Sequence, residues 1–150
     1  MKILSVFNNE VLILALISWL LAQILKVPIG YVQTQQWNWS LLLEPGGMPS
    51  SHAALVTAAT HAIGLWQGFD SALFGFAFVI TMIVVYDATG IRWQAGKHAE
   101  VINRMIQELA AGHPLKGQEL REVLGHTPLE ALAGVLLGLF VSQIGWMLVN

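Results

Sequence analysis

The sequence predicts an all-α integral membrane bundle of about four spans with one amphipathic interfacial helix. Three observations carry this reading. Apolar residues make up 55% of the 150-residue chain, above the roughly 45–50% of soluble domains. Only 16 residues are charged, seven basic and nine acidic, where ordinary usage would supply roughly 37. Four apolar stretches are separated by turns and polar connections, and a small soluble globule could not cover its surface with so few charges.

The first stretch, residues 11–25 (VLILALISWLLAQIL), opens after Glu10 and closes at Lys26, whose stem can snorkel to the interface. No A-x-A site follows Leu25, so it is expected to be a retained anchor rather than a signal peptide. The second, residues 53–69, contains Thr57, Thr60 and His61, and Ala54, Ala58 and Ala62 recur every four positions. It is expected to sit inside the bundle, away from lipid. The third, residues 72–86, is short and strongly apolar. The fourth, residues 131–149, has the full length of a span, and its Gly134 and Gly138 permit close helix–helix approach. Trp19, Trp37, Trp39, Trp66 and Trp146 fall near segment ends or in the first connection, as an interfacial aromatic belt requires.

Between the third and fourth spans, AEVINRMIQELAAG carries Val101, Met105, Ile106 and Leu109 at helical spacing. This predicts a short amphipathic helix at the interface or against the bundle, stopped by Gly112 and followed by a turn at HPLKG. QELREVL is a second short helical stretch. No repeat or low-complexity tract divides the chain, so residues 1–150 read as one domain. A net charge of −2 offers no basic stripe for nucleic acid, and the absence of cysteine excludes disulfides and thiolate sites. Four short spans are compatible with a homodimer.

Four spans place the 26–52 and 87–127 connections on one side. That side holds Lys26, Arg92, Lys97, Arg104, Lys116 and Arg121, against Lys2 on the other, so it is expected to be cytoplasmic. Three polar clusters share this face: GGMPSSH, YDATGIRWQAGK and GHTPLE.

In the first cluster, Gly46 and Gly47 let the backbone approach a ligand, and Ser50 and Ser51 open a helix whose free N–H groups favour an anion. His52 is placed to donate a proton to a leaving oxygen. The alternative is an N-cap at Ser50 or Ser51 with His52 at the interface. In the third cluster, Glu130 can orient the imidazole of His126. Equally, Thr127-Pro128-Leu129-Glu130 is a capping box, and the two uses compete for one side chain. Asp87 pairs with Arg92 or caps a turn. His61, nine residues beyond His52 and about 13–14 Å deeper, is expected to be a hydrogen-bonded bundle residue. His98 and His113 are expected in solvent.

PSSH followed by a distant H-x-x-x-acid and LAG resembles the type 2 phosphatidic acid phosphatase superfamily, which includes the vanadium-dependent haloperoxidases. GGMPSSHAA, YDATGIRWQAGKHAEVIN and GHTPLEALAG are closer to its divergent branch, the acid phosphatase/vanadium-dependent haloperoxidase-related proteins, from about Gln23 to Gly138. The resemblance implies a membrane phosphatase acting on a lipid-linked or amphiphilic phosphomonoester or pyrophosphate through a phosphohistidine, with no metal or cofactor. His126 would be the nucleophile, His52 the proton donor and Glu130 the orienting acid. The superfamily's K-x6-R-P motif is absent, because Gln33 stands seven residues after Lys26. Its S-R pair is absent too, because Arg121 lies five residues before His126 and follows Leu120. Phosphate binding would then fall to Arg92, Lys97, Lys26 or Arg121, with Ser50, Ser51 and Gly47. The alternative is a non-catalytic protein of the same fold that binds lipid or phosphate or acts as a scaffold. A transporter lacks support from repeats or broken helices, and haloperoxidase chemistry needs more cations than can be assigned.

Overall fold

A computed structural model describes residues 3–44, 46–110 and 126–150. QELREVL, HPLKG, Gly112, His113, Lys116 and Arg121 lie outside the described residues. All described regular elements are helical: α1 (Glu10–Thr34), α2 (Ser51–Gln67), α3 (Ala72–Thr89), α4 (Ile91–Ala110) and α5 (Pro128–Val149), with 3-10 turns at Ile3–Asn8 and Trp39–Leu42. Three of them, α1, α3 and α5, are long and apolar enough to cross a membrane. The protein is therefore an all-α membrane helical bundle, as its composition predicts.

Helix α2 is the hub and packs against α1, α3 and α5. Its alanines explain why. Ala54, Ala58 and Ala62 are fully buried and Ala53 is nearly so, so neighbouring backbones come close without clash. From α5, Gly134 lies against the Ser50 carbonyl, and a Cβ at Gly138 would meet the Ala54 carbonyl at 2.6 Å. From α1, Ser18 Oγ donates to the same Ala54 carbonyl at 3.2 Å. In lipid the hydrophobic effect does not drive helices together, so close packing and interhelical hydrogen bonds carry the association. The outer faces are apolar throughout: Phe76, Val79 and Ile83 on α3 and Leu132, Leu136 and Phe140 on α5 are all exposed.

Two elements run further than the hydropathy pattern predicts. Helix α1 does not end at Leu25 but continues through Lys26 and Pro28 to Thr34, where Gln35 adopts a left-handed cap with φ 58°. A charge and a proline read as a stop, since proline removes a helical hydrogen bond. Here Lys26 and Val27 turn inward and are buried, and Leu41 of the following turn packs onto Gly30. Tertiary burial thus outweighs the local penalty. The extension also leaves Trp19 in the body of α1 rather than near its end. Trp37 and Trp39 instead stack in series with Tyr31, at centroid distances of 4.5 and 5.8 Å.

Helix α4 likewise begins at Ile91 rather than Ala99, absorbing the IRWQAGK part of the second cluster. Gly90 separates it from α3 after its N–H closes the last turn on the Tyr86 carbonyl. Val101, Met105 and Leu109 are exposed, whereas Ala99 and Asn103 are buried. Three of the four apolar stripe residues of α4 therefore face outward, with Ile106 half-buried.

Candidate active site

The site is assembled where α2 and α5 begin and α3 ends. The Ser50 side chain caps α2 by accepting from the Ala53 N–H at 3.3 Å. Its own N–H donates to the Glu130 carbonyl at 2.9 Å, tying the GGMPSSH loop to the first turn of α5. His126 donates its backbone N–H to the Ala88 carbonyl at 3.0 Å, tying the start of α5 to the end of α3. Two backbone hydrogen bonds thus join three segments that are remote in sequence. Gly46 and Gly47 have φ of 97° and 77°, which only glycine adopts without strain, and they let the loop turn back onto α2.

His52, in the first turn of α2, is exposed, whereas His126 is 7% exposed. Their rings are 6.5 Å apart and meet edge to face at 77°. Both line a cavity of about 260 Å³, together with Ile83, Val84, Asp87 and Ala88 of α3. The histidine convergence anticipated from the span order is therefore present. Asp87, which the sequence offers as a partner of Arg92 or a turn cap, lines the same cavity. It follows the third apolar stretch, at the end of the bundle shared by the two histidines.

Glu130 forms the full capping box. Its Oε2 accepts the Thr127 N–H at 2.9 Å, and its N–H donates to Thr127 Oγ1 at 3.3 Å. Lys26 is 2% exposed, and its Nζ donates to the Glu44 carbonyl at 3.2 Å. Its stem runs 3.9 Å from where a Cβ at Gly47 would lie. Lys26 thus places a cation beneath the GGMPSSH loop. Ser51 is buried in the first turn of α2. Lys97 is exposed on α4 and pairs with Glu100 at 3.1 Å, apart from the cavity wall. Arg92 belongs to the first turn of α4, close in sequence to Ala88, and its side chain is not among those described. His98 is exposed. Among the described residues no three His, Asp or Glu side chains are grouped to hold a metal ion.

His61 lies away from this site, in the body of α2, where Nδ1 is 2.8 Å from Ser142 Oγ of α5. It is a hydrogen-bonded bundle residue, as its depth predicts.

The profile of the Divergent PAP2 family matches residues 7–141. The chain is 35% identical over 152 residues to the Uncharacterized membrane protein YuiD of Bacillus subtilis (strain 168), covering 94% of this chain and 96% of that protein. No solved structure gives a significant match. With its two histidines drawn together at one end of a membrane bundle and a match running over most of its length, the chain belongs to the Divergent PAP2 family.

Proposed function

We propose that the protein is a membrane phosphatase that hydrolyses a phosphomonoester or pyrophosphate carried on a lipid or other amphiphile. The observation that supports this best is the spacing of His52 and His126. A nucleophile approaches phosphorus to about 3–3.5 Å before reacting, and an acid reaches the leaving oxygen at about 2.6–3.2 Å. Two imidazoles acting on opposite sides of one phosphoryl group therefore need reacting nitrogens about 7 Å apart. Ring centroids 6.5 Å apart across a shared cavity suit that requirement.

In this reading the neutral imidazole of His126 attacks phosphorus and a P–N bond forms. The P–O bond to the substrate breaks, its electron pair leaves with the oxygen, and His52 supplies the proton. Water then attacks the phosphohistidine with His52 as base, releasing phosphate and restoring His126. Lys26 is the buried cation best placed to balance the anion, and Arg92, Lys97 and Arg121 are the remaining cationic candidates. Ser50, Ser51 and Gly47 shape the loop that the phosphate would meet. The four-pass count, with α2 as the shortest pass, puts this end in the cytoplasm by the basic-residue balance. The exposed stripe of α4 then lies in the membrane interface.

The test is trapping of acid-labile, alkali-stable phosphate on purified protein given labelled phosphomonoester in vesicles. His126→Ala should abolish incorporation and turnover, and His52→Ala should slow incorporation most for poor leaving groups. Opposite protonation requirements also give turnover a bell-shaped pH profile. Turnover persisting in His126→Ala would remove the phosphohistidine route. One observation favours a second reading: the Glu130 carboxylate is engaged by the Thr127 N–H rather than left solely to orient His126. Phosphate binding by wild type with no turnover would assign the fold to a non-catalytic binding role.

A further inference from the structure

A second cavity, of about 300 Å³, lies deeper between α2, α3 and α5 and shares no lining residue with the first. Thr57, Thr60 and His61 line it from α2, and Phe74, Phe78 and Met82 from α3. Phe78 and Met82 are 50% and 57% exposed on the apolar outer face of the bundle, so the cavity opens toward hydrocarbon. Most of its polar groups are matched within the protein. Thr60 Oγ1 lies 2.7 Å from Thr81 Oγ1, and the two hydroxyl protons are shared between that contact and the Ala77 and Val56 carbonyls, each at 3.2 Å.

Thr57 differs. It is 6% exposed, and among the described residues its Oγ1 has no hydrogen-bond partner. A hydroxyl buried in that state is costly, and more so inside a membrane. Four residues on, and therefore on the same helix face, stands His61. Its Nδ1 lies 2.8 Å from Ser142 Oγ, and that hydroxyl donates its one proton to the Gly138 carbonyl at 2.8 Å. With its proton on the Gly138 carbonyl, Ser142 accepts from His61, and in that arrangement the neutral imidazole carries its proton on Nδ1 and keeps a lone pair on Nε2. One helix face thus offers an unmatched hydroxyl and an imidazole acceptor a single turn apart.

We propose that this cavity binds a medium- to long-chain primary alcohol from the bilayer, its hydroxyl bridging Thr57 Oγ1 and His61 Nε2. A hydroxyl both accepts from Thr57 and donates to His61. A carboxylate brings no proton for Nε2 and carries a charge into an apolar space. An ester carbonyl matches Thr57 alone, and an alkane matches neither. The chain lies against Phe74, Phe78 and Met82. At about 30 Å³ per small unit, the volume admits about ten such units. The site stands independently of hydrolysis at His52 and His126.

The experiment uses the whole protein in nanodiscs and a decanol carrying a terminal diazirine, with adducts mapped by peptide mass spectrometry. Adducts are expected on the α3 and α5 segments around Phe78, Met82 and Leu139, displaced at least tenfold better by decanol than by decane or methyl decanoate. Thr57→Val should weaken decanol competition roughly 3- to 10-fold, the loss of one hydrogen bond, and Thr57→Ser should restore it. Adducts confined to other surfaces, or decane competing as well as decanol, would overturn the proposal. So would a folded Thr57→Val that competes like wild type. If Thr57→Val does not fold, the comparison of decanol with decane on wild type decides alone.

Discussion

At the scale of single residues, Glu130 carries two demands on one carboxylate. Its Oε2 holds the Thr127 N–H, while the proposed chemistry asks it to orient and stabilise an imidazole four residues before it. Glutamine keeps the capping hydrogen bond but cannot stabilise an imidazolium as a carboxylate does. Glu130→Gln should therefore keep the apparent melting temperature within a few degrees and lower phosphatase turnover about tenfold or more. Equal turnover would assign Glu130 to capping alone. Lys26 supplies a complementary case. It is buried in α1, and its ammonium is held by the Glu44 carbonyl. Lys26→Met keeps the stem that packs beside Gly47 and removes only the charge. Turnover should fall about 100-fold, the usual effect of losing one donor to a developing anion, while circular dichroism stays unchanged. Turnover within twofold of wild type would move the phosphate-binding role to the arginines.

At the scale of elements, the contact of α2 with α5 rests on missing side chains. A Cβ on Gly134 would collide with the Ser50 carbonyl and reach Ala53 Cβ at 3.0 Å. Because Ser50 also donates to Glu130 across this contact, widening it loosens the GGMPSSH loop as well as the bundle. Gly134→Ala should destabilise the protein by about 1–3 kcal/mol, the usual cost of overpacking, seen as a lower melting temperature in detergent together with lost turnover. Gly75 is the control, since a Cβ there meets nothing within 4 Å. Gly75→Ala should be neutral or slightly stabilising, because alanine is the better helix former. Equal effects of the two substitutions would contradict close packing as the cause.

At the scale of the whole molecule, orientation follows from charge. The extension of α1 moves Lys26 into a helix, so the connections keep five of the six basic residues counted on that side (six less Lys26), against Lys2 on the other. The imbalance survives, and the histidine end is expected to be cytoplasmic. Cysteines placed at Gln36 and Asn150, in a chain that has none of its own, give a direct readout. In intact cells a membrane-impermeant thiol reagent should label position 150 and spare position 36. The reverse pattern would turn the protein over in the membrane.

The sequence by itself determined the membrane class and the three helices long and apolar enough to cross a membrane. It also determined a cap at Ser50 or Ser51, the capping box at Thr127, and the order that carries His52 and His126 to one end. These are local or periodic properties: hydropathy marks a span, and an oxygen-bearing side chain before a helix fixes its start. The course of α1 through Pro28, the inward turn of Lys26 and the place of Asp87 on the cavity wall were decided by tertiary structure. So was the outward face of α4. Each depends on what a neighbouring element presents, as Leu41 does to Gly30 and the Glu44 carbonyl does to Lys26. A lysine followed by a proline reads as a helix end until that neighbour is in place, because local propensity counts the lost hydrogen bond but not the burial that offsets it.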